Sequence, residues 1–330
     1  MSVPTPLTSF LGGIGLTLPV HSLALLNGNV FGISGFVHRA VKGNREAIVA
    51  TLGLIFGGLV VGAIEGDGPA YGSLSLPTLL ISGFLVGLGT KMSNGCTSGH
   101  MLAGLSRFSK RSIAATATFF GTAVLTTRML YPRTFSSVNK PNWNVNSTDT
   151  ALLVAQIFPQ LLHMVFSLIH AIRQASMIPT NPNTSSPSRP IARLAAFLST
   201  TVEFALALRL SNMTDPKKVL AFLLLPFDSA FDPSLAFLAL GAIPLGAVLY
   251  HFFRGPEKPA LGGTWAIPRP SKVDAKLLIG STFFGLGWGI SGICPGPVLV
   301  NLGRALANGR GFSQWFIWLC AFIAGGLCAS

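Results

Sequence analysis

Two cysteines share one sequence frame although 198 residues separate them. In the first frame Gly-Leu-Gly is followed by a serine and then by Cys96, and in the second frame the same residues lead at the same spacing to Cys294. Each cysteine interrupts a long apolar run. A glycine-rich break at the depth of a bilayer leaves backbone groups unpaired unless protein, water or a ligand satisfies them. The pattern therefore indicates two halves of one transport path.

The residues after each cysteine predict the start of a helix. Pro295 follows Cys294 directly, and proline at the first helical position after a small residue is typical of a helix start. Cys96 is placed similarly, before a helix that begins near Thr97 or Ser98. The free amides and the dipole at a helix N-terminus favour anions and make a thiol there a better hydrogen-bond donor. We expect both cysteines to face an anionic ligand.

The candidate site also contains small and polar neighbours of the two cysteines. Glycines in these frames allow the backbone to approach a ligand closely. Besides the cysteines, the candidate residues for substrate binding and transport are Gly95, Asn94, Thr97, Ser98, Gly292, Pro295, Gly296 and Lys91.

Charged and titratable residues inside the apolar runs are few, and each suggests a role. Lys91 offsets the negative charge of a substrate or reaches to the membrane interface, because intramembrane cations are costly. His100 is a candidate for tuning the thiol of Cys96. Glu203 and Arg209 are expected to pair with each other.

The composition places most of the chain in lipid. Half of the 330 residues are hydrophobic and 10% are charged, whereas soluble domains contain about 25% charged residues. Nine stretches are long and apolar enough to cross a bilayer. Four of them are broken in the middle, at 27–29, 93–96, 211–216 and 291–295. We predict an all-α polytopic membrane protein with about nine membrane-crossing elements, four of them broken or re-entrant. The net charge of +13 lies in short loops, which argues against nucleic-acid binding.

The order of broken and plain elements occurs twice, with one extra helix between the two copies. Fourteen Lys and Arg residues lie in loops on one side, which the positive-inside rule makes cytoplasmic, at 38–46, 107–111, 173–193 and 253–276. The extra helix then inverts the second half relative to the first, as in many secondary transporters. We predict two inverted pseudo-repeats, with an N-terminal transport half at 1–130, linkers and the connecting helix at 131–190, and a C-terminal transport half at 191–330.

Four segments resemble the YeeE/YedE sulfur-transport family, at residues 93–100, 211–220, 231–236 and 287–297. The resemblance covers nearly the whole chain, in the form in which two halves are fused. It implies thiosulfate uptake by an hourglass-shaped membrane protein, in which thiols of central loops pass the ion inward through S–H···S hydrogen bonds. Cys96 and Cys294 match two of the family's cysteines.

One family feature is missing from this chain. Well-known members have a third cysteine in the first broken segment, and residues 27–35 contain none. Either the relay uses two thiols with Asn27 or Ser34 as polar substitutes, or the substrate differs.

The sequence therefore predicts a transporter of thiosulfate or a related sulfur anion, multi-pass and integral to the plasma membrane. Expected partners are a small inorganic sulfur anion, the lipid bilayer and a cytosolic sulfur-accepting protein; no nucleic acid, metal or cofactor is expected. One alternative is a membrane thiol enzyme, either a sulfurtransferase or an oxidoreductase. The absence of a CxxC motif and of a clear general base disfavours it. The other alternative is a channel for a different small ion, in which the cysteines only pack.

Overall fold

The described part of the chain is helical or irregular. The computed structural model describes residues 3–66, 74–131, 140–176, 189–226, 228–255, 257–268 and 272–329. Within these ranges there are twelve α-helices, one π-helical segment and one short 3₁₀ turn, and no β-strand. The prediction of an all-α fold is confirmed.

The helices follow one another in the order predicted from the apolar runs. The first half contains α1 (Pro6–Asn27), α2 (Ile33–Val41), α3 (Arg45–Glu65), α4 (Leu76–Ser93), the π-helical segment (Thr97–Gly104), a 3₁₀ turn (Leu105–Arg107) and α5 (Lys110–Leu130). The connecting helix is α6 (Ser147–Ser176). The second half contains α7 (Pro190–Leu210), α8 (Pro216–Leu223), α9 (Ser234–Phe253), α10 (Ala275–Ser291), α11 (Pro295–Asn308) and α12 (Phe312–Cys328).

Seven of the described helices are long and apolar enough to cross a membrane, namely α1, α3, α4, α5, α6, α7 and α9. The pair α10 and α11, bent by 40° at its break, makes an eighth span if it is counted as one. α12 is a shorter apolar helix of 17 residues. A polytopic membrane protein is therefore confirmed, and the number of nine crossings stays a prediction.

All four breaks lie where the sequence predicts them, and each contains a residue with a left-handed backbone. These residues are Gly28, Asn94, Asn212 and Gly292, with φ angles of 70°, 58°, 60° and 69°. Glycine adopts this conformation without a steric penalty, and asparagine tolerates it better than most residues do. Each of them turns the chain out of the preceding helix, which explains why apolar runs long enough for one straight helix are divided in two.

The segment after Cys96 differs from its counterpart in the second half. It is π-helical over Thr97–Gly104, and the amide of Leu105 donates to the carbonyl of His100, five residues earlier. α11 is a regular α-helix. Single π-helical turns are rare in proteins and are frequently found at functional sites.

The contacts of the two halves correspond to each other. α4 packs against α10, and α1 packs against α7. Four further contacts form two matched pairs: α1 with α9 corresponds to α7 with α3, and α4 with α12 corresponds to α10 with α5. The contact of α3 with α11 is more extensive than its counterpart, which joins α9 to the segment after Cys96. This correspondence is what two copies of one unit would produce, and the inverted orientation of the copies stays a prediction.

Glycines allow backbones of neighbouring helices to touch. A methyl group added at Gly58 of α3 would overlap the carbonyl oxygen of Val300, and one added at Gly303 of α11 would overlap that of Ile55. The contact between α4 and α12 is reciprocal in the same way, through Gly87, Phe322, Gly325 and Phe84. Small residues of this kind are typical of helix interfaces in membranes.

Gly303→Ala is expected to destabilise the folded protein by about 1–3 kcal/mol, because an added methyl group in a packed interface forces the backbones apart. Thermal unfolding of the detergent-solubilised protein would measure the change. Gly121→Ala is the matched control, since nothing lies within 4 Å of a methyl group at that position. Equal melting temperatures for the two variants would contradict the interpretation of this contact.

α6 packs mainly against α7 and also contacts α1 and α3. Its His163 Nε2 lies 2.9 Å from Ser199 Oγ of α7, so a polar contact joins the connecting helix to the second half. The division of the chain into two transport halves and a connecting region stays a prediction.

Candidate functional site

The two cysteine frames meet in the folded protein. Thr97 Oγ1 donates a hydrogen bond to Cys294 Sγ at 3.8 Å. Cys96 and Cys294 are each 2% exposed. Because Thr97 follows Cys96 directly, this bond joins two loops that are remote in sequence, and it places both predicted cysteines at one buried site.

The first break is joined to the same site through Ser98. Its Oγ lies 3.3 Å from Cys96 Sγ and accepts a hydrogen bond of 3.1 Å from the amide of Ile33. Ile33 is the first residue of α2. Three of the four breaks are therefore linked by hydrogen bonds or direct contact around the two thiols.

A small cavity of about 30 Å³, which we call the inner cavity, lies between these loops. All four breaks contribute to its wall, which consists of Ile33, Cys96, Thr97, Ser98, Met101, Leu102, Phe204, Leu208, Met213, Leu238, Pro295, Gly296 and Pro297. A water molecule needs at least about 10–15 Å³ of such space. The inner cavity therefore has room for one or two water molecules, and a larger solute passes only if the surrounding side chains move.

The two helix starts at the inner cavity differ in the number of amides that they offer. Two of the first three residues of α11, Pro295 and Pro297, have no amide hydrogen, so only Gly296 can donate. At the other start the first intrahelical bond runs from the amide of His100 to the carbonyl of Cys96, at 2.8 Å. The segment after Cys96 is therefore the richer source of donors, an asymmetry that the two matching frames do not indicate.

Other predicted residues lie in a second, larger cavity of about 370 Å³. Asn94, Gly95 and Ser34 line it. We call this space the arginine vestibule, since three arginines contribute to its wall: Arg39, Arg107 and Arg111. Its other wall residues are Asn29, Val30, Gly32, Gly35, Gly99, His100, Ser109, Ser112, Ala266 and Pro268.

Four predicted residues lie outside the walls of both cavities, and one of them is Cys294, whose chain neighbour Pro295 lines the inner cavity. Asn27 is fully buried and its Nδ2 donates to the carbonyl of Arg193 at 3.1 Å, which joins α1 to α7. Lys91 is half-buried in the last turn of α4. Gly292 ends α10, and a methyl group there would overlap the carbonyl oxygen of Pro216. Of the two polar substitutes for the missing cysteine, Ser34 lines a cavity and Asn27 does not.

One expectation about charged groups is wrong, and the expected influence of His100 on the thiol of Cys96 stays a prediction. Glu203 and Arg209 do not pair: Glu203 Oε2 lies 3.4 Å from His163 Nδ1, and Arg209 pairs with Glu65. The expected pair was wrong because the partner of Arg209 comes from α3, which is remote in sequence. His100 is bound to the carbonyl of Ser93 at 3.2 Å and to Ser112 Oγ at 3.1 Å, so it connects α4 to α5.

Glu65 connects the two halves at the outer side, where the charge distribution of the loops predicts 65–75 and 304–310 to lie. Its side chain is 2% exposed, and it pairs with Arg209 of α7 and with Arg304 of α11, whose Nε lies 2.7 Å from Glu65 Oε2. Arg304 is an unexpected cation on the side that the positive-inside rule makes external. The buried carboxylate explains how it is tolerated there.

Sequence reasoning missed the arginines of the vestibule as site residues. The sequence indicates only that three of the loop cations expected on the cytoplasmic side are Arg39, Arg107 and Arg111. Arg107 lies close to Cys96 along the chain, and this spacing was the available signal. Nothing in the sequence brings Arg39 to the same cavity, because that requires α2 to fold back against the loop after α4.

Apolar helices in sufficient number to cross a membrane, broken around a buried polar site, define a multi-pass integral membrane protein of the transporter class. Comparison with known families supports this. A family described as sulphur transport matches residues 4–125, and a family of unknown function, DUF6691, matches residues 192–329. The chain belongs to the sulphur transport family. The expected membership is confirmed, and the protein is a transporter rather than an enzyme.

Two similar proteins are each named as a probable transporter. One, from Xylella fastidiosa strain 9a5c, is 49% identical over 112 residues, which are 33% of this chain and 83% of that protein. Another, from strain Temecula1 / ATCC 700964, is 31% identical over 116 residues, which are 35% of this chain and 78% of that protein. Both are short relative to this chain, in keeping with a fused two-half arrangement. No solved structure matches the chain.

Proposed function

We propose that this sulfur transporter conducts thiosulfate or a related sulfur anion, which contacts the thiols of Cys96 and Cys294 in turn. The observation that carries the proposal is the hydrogen bond from Thr97 to Cys294. It brings the two cysteine loops to one small cavity whose wall includes all four breaks. Such a site between discontinuous helices is where secondary transporters bind their substrates.

The chemistry of the site favours an anion with a terminal sulfur atom. A thiol is a weak hydrogen-bond donor that suits a soft acceptor, and the hydroxyl groups of Thr97 and Ser98 are donors beside the two thiols. The rest of the wall is largely apolar. An anion enters by losing most of its hydration shell, and the donors at the cysteine loops compensate part of that loss.

The arrangement of the halves supports passage through one central site. In our proposal the halves are inverted repeats in the plasma membrane, and each supplies one thiol from its own side. A cytosolic sulfur-accepting protein is the proposed recipient of the anion. With Ser34 near the loops, two thiols suffice where other members of the family use three.

A side-by-side uptake experiment tests the substrate. We expect proteoliposomes that contain the protein to take up thiosulfate at least about tenfold faster than sulfate, because only thiosulfate offers a terminal sulfur to the thiols. Sulfite is the third anion of the comparison. Equal rates for thiosulfate and sulfate would contradict the proposal, and would favour a channel in which the cysteines only pack.

A further inference from the structure

The arginine vestibule adjoins the inner cavity across single residues of two loops. Ile33 and Cys96 line the inner cavity, whereas their chain neighbours Ser34 and Gly95 line the vestibule. The vestibule is more than ten times as large, about 370 Å³ against about 30 Å³. An anion that leaves the thiols past these loops therefore enters the vestibule, on the side predicted to be cytoplasmic.

The wall of the vestibule is cationic, and no Asp or Glu belongs to its described part. Arg111 NH1 lies 3.4 Å from Asp274, so its charge is partly balanced. Arg39 and Arg107 form no ion pair in the described ranges. Their positive charges face a cavity, where low-dielectric walls strengthen the field that acts on an anion.

Local contacts hold these two arginines. Arg107 Nε donates to the carbonyl of Ala103 at 2.8 Å, and the guanidinium carbon of Arg39 lies 5.5 Å from the ring centre of Phe36. A planar guanidinium held in this way keeps further N–H groups for an oxyanion, which it binds through two parallel hydrogen bonds.

The second half neutralises the corresponding charge. Arg304 follows Cys294 by ten residues, and Arg107 follows Cys96 by eleven, so the two arginines hold similar places in their halves. Arg304 pairs with Glu65, whereas no carboxylate pairs with Arg107 among the described residues. The two ends of the path are therefore charged differently although the helices correspond.

We propose that the arginine vestibule is a second binding site for a sulfur oxyanion, in which Arg39 and Arg107 balance its charge and Asn94 and Ser34 donate to its oxygens. The inference rests on the proposed function and adds a cytoplasmic station to it. The volume accommodates an oxyanion together with several water molecules, each of which takes about 30 Å³ in the liquid. An anion that has lost its water at the thiols is hydrated again in the vestibule. Two binding sites of moderate affinity in series permit fast passage.

Calorimetric titration of the full chain in lipid nanodiscs with sodium thiosulfate tests this site. The background is the double variant Cys96→Ala and Cys294→Ala, which removes the thiol site. We expect saturable binding to remain in this background, and to weaken at least about tenfold when Arg39→Gln and Arg107→Gln are added, because two charge-assisted contacts are lost. Arg39→Lys with Arg107→Lys retains the charges but loses the paired N–H groups, so it is expected to bind more tightly than the glutamine variant and more weakly than the native arginines.

The control removes two charges at the opposite side, through Arg128→Gln and Arg310→Gln, both exposed. The inference would be overturned if Arg39→Gln with Arg107→Gln left the affinity for thiosulfate unchanged, or if the control variant lost as much affinity. The outcomes separate the two proposals. If sulfate binds the vestibule as tightly as thiosulfate but thiosulfate uptake is absent, the proposed function fails while the anion site stands. If uptake depends on the cysteines while the arginine variants bind normally, only the vestibule site fails.

Discussion

Thiosulfate uptake is expected to fall about ten- to a hundredfold in Cys96→Ala and in Cys294→Ala, since a hydrogen bond to a charged group contributes about 1.5–3 kcal/mol. Both thiols are buried: Cys96 lines the inner cavity, and Cys294 directly precedes Pro295 of its wall. Alanine is small enough to keep the loops in place. Initial rates with radiolabelled thiosulfate in proteoliposomes would measure the effect, with the amount of folded protein determined in the same samples.

The other two cysteines provide the matched control. Cys320 and Cys328 are exposed and lie on α12, away from the breaks. Cys320→Ala and Cys328→Ala are expected to leave uptake within about twofold of the native rate, as surface substitutions usually have small effects. Undiminished uptake in both inner-cavity variants would exclude a relay through thiols.

Glu65→Gln is expected to destabilise the protein by about 3–5 kcal/mol, because removal of the carboxylate leaves the buried charges of its arginine partners uncompensated. The carboxylate is shared by Arg209 and Arg304, which belong to two different helices of the second half. Its loss therefore weakens the contact of α3 with both α7 and α11. Denaturation in detergent, followed by size-exclusion chromatography, would show the loss of folded protein.

A comparison with an exposed acid separates this effect from a simple change of charge. Glu257 pairs with Arg254 at 3.5 Å, and their side chains are 49% and 40% exposed. Glu257→Gln is expected to change stability by less than about 1 kcal/mol, as exposed ion pairs contribute little. A double variant, Glu65→Gln with Arg304→Gln, should lose less than the sum of the two single losses if the pair is direct. Additive losses would argue against it.

Much of the architecture could be predicted, because membrane helices and their interruptions leave local signals. Length and apolarity reveal the spans, and Gly28, Asn94, Asn212 and Gly292 mark the points at which the helices end. The cysteine frames could be recognised as equivalent because the glycines and serine repeat at equal spacing. These signals lie within short windows of the chain, where sequence patterns act directly on the backbone.

The rest depends on contacts between remote segments. The partner of Arg209 is Glu65, 144 residues away, and no pattern near either residue indicates it. The vestibule forms because α2 brings Arg39 to the loop after α4, which is a property of packing rather than of spacing. The π-helical turn after Cys96 also escapes prediction, because local sequence favours an ordinary α-helix there and tertiary contacts decide.

The backbone contacts at Gly58, Gly303, Gly87 and Gly325 have a consequence for how the path opens. Helices in such close backbone contact resist rigid-body separation. The pairs α3 with α11 and α4 with α12 are therefore expected to keep their relative positions during a transport cycle. Movement then falls to the side chains around the inner cavity, such as Met101 and Met213. Methionine is flexible and adaptable, and rotamer changes are far faster than domain motions. Transport would then be gated by fast rotamer changes of side chains around the inner cavity, while the helices stay in place.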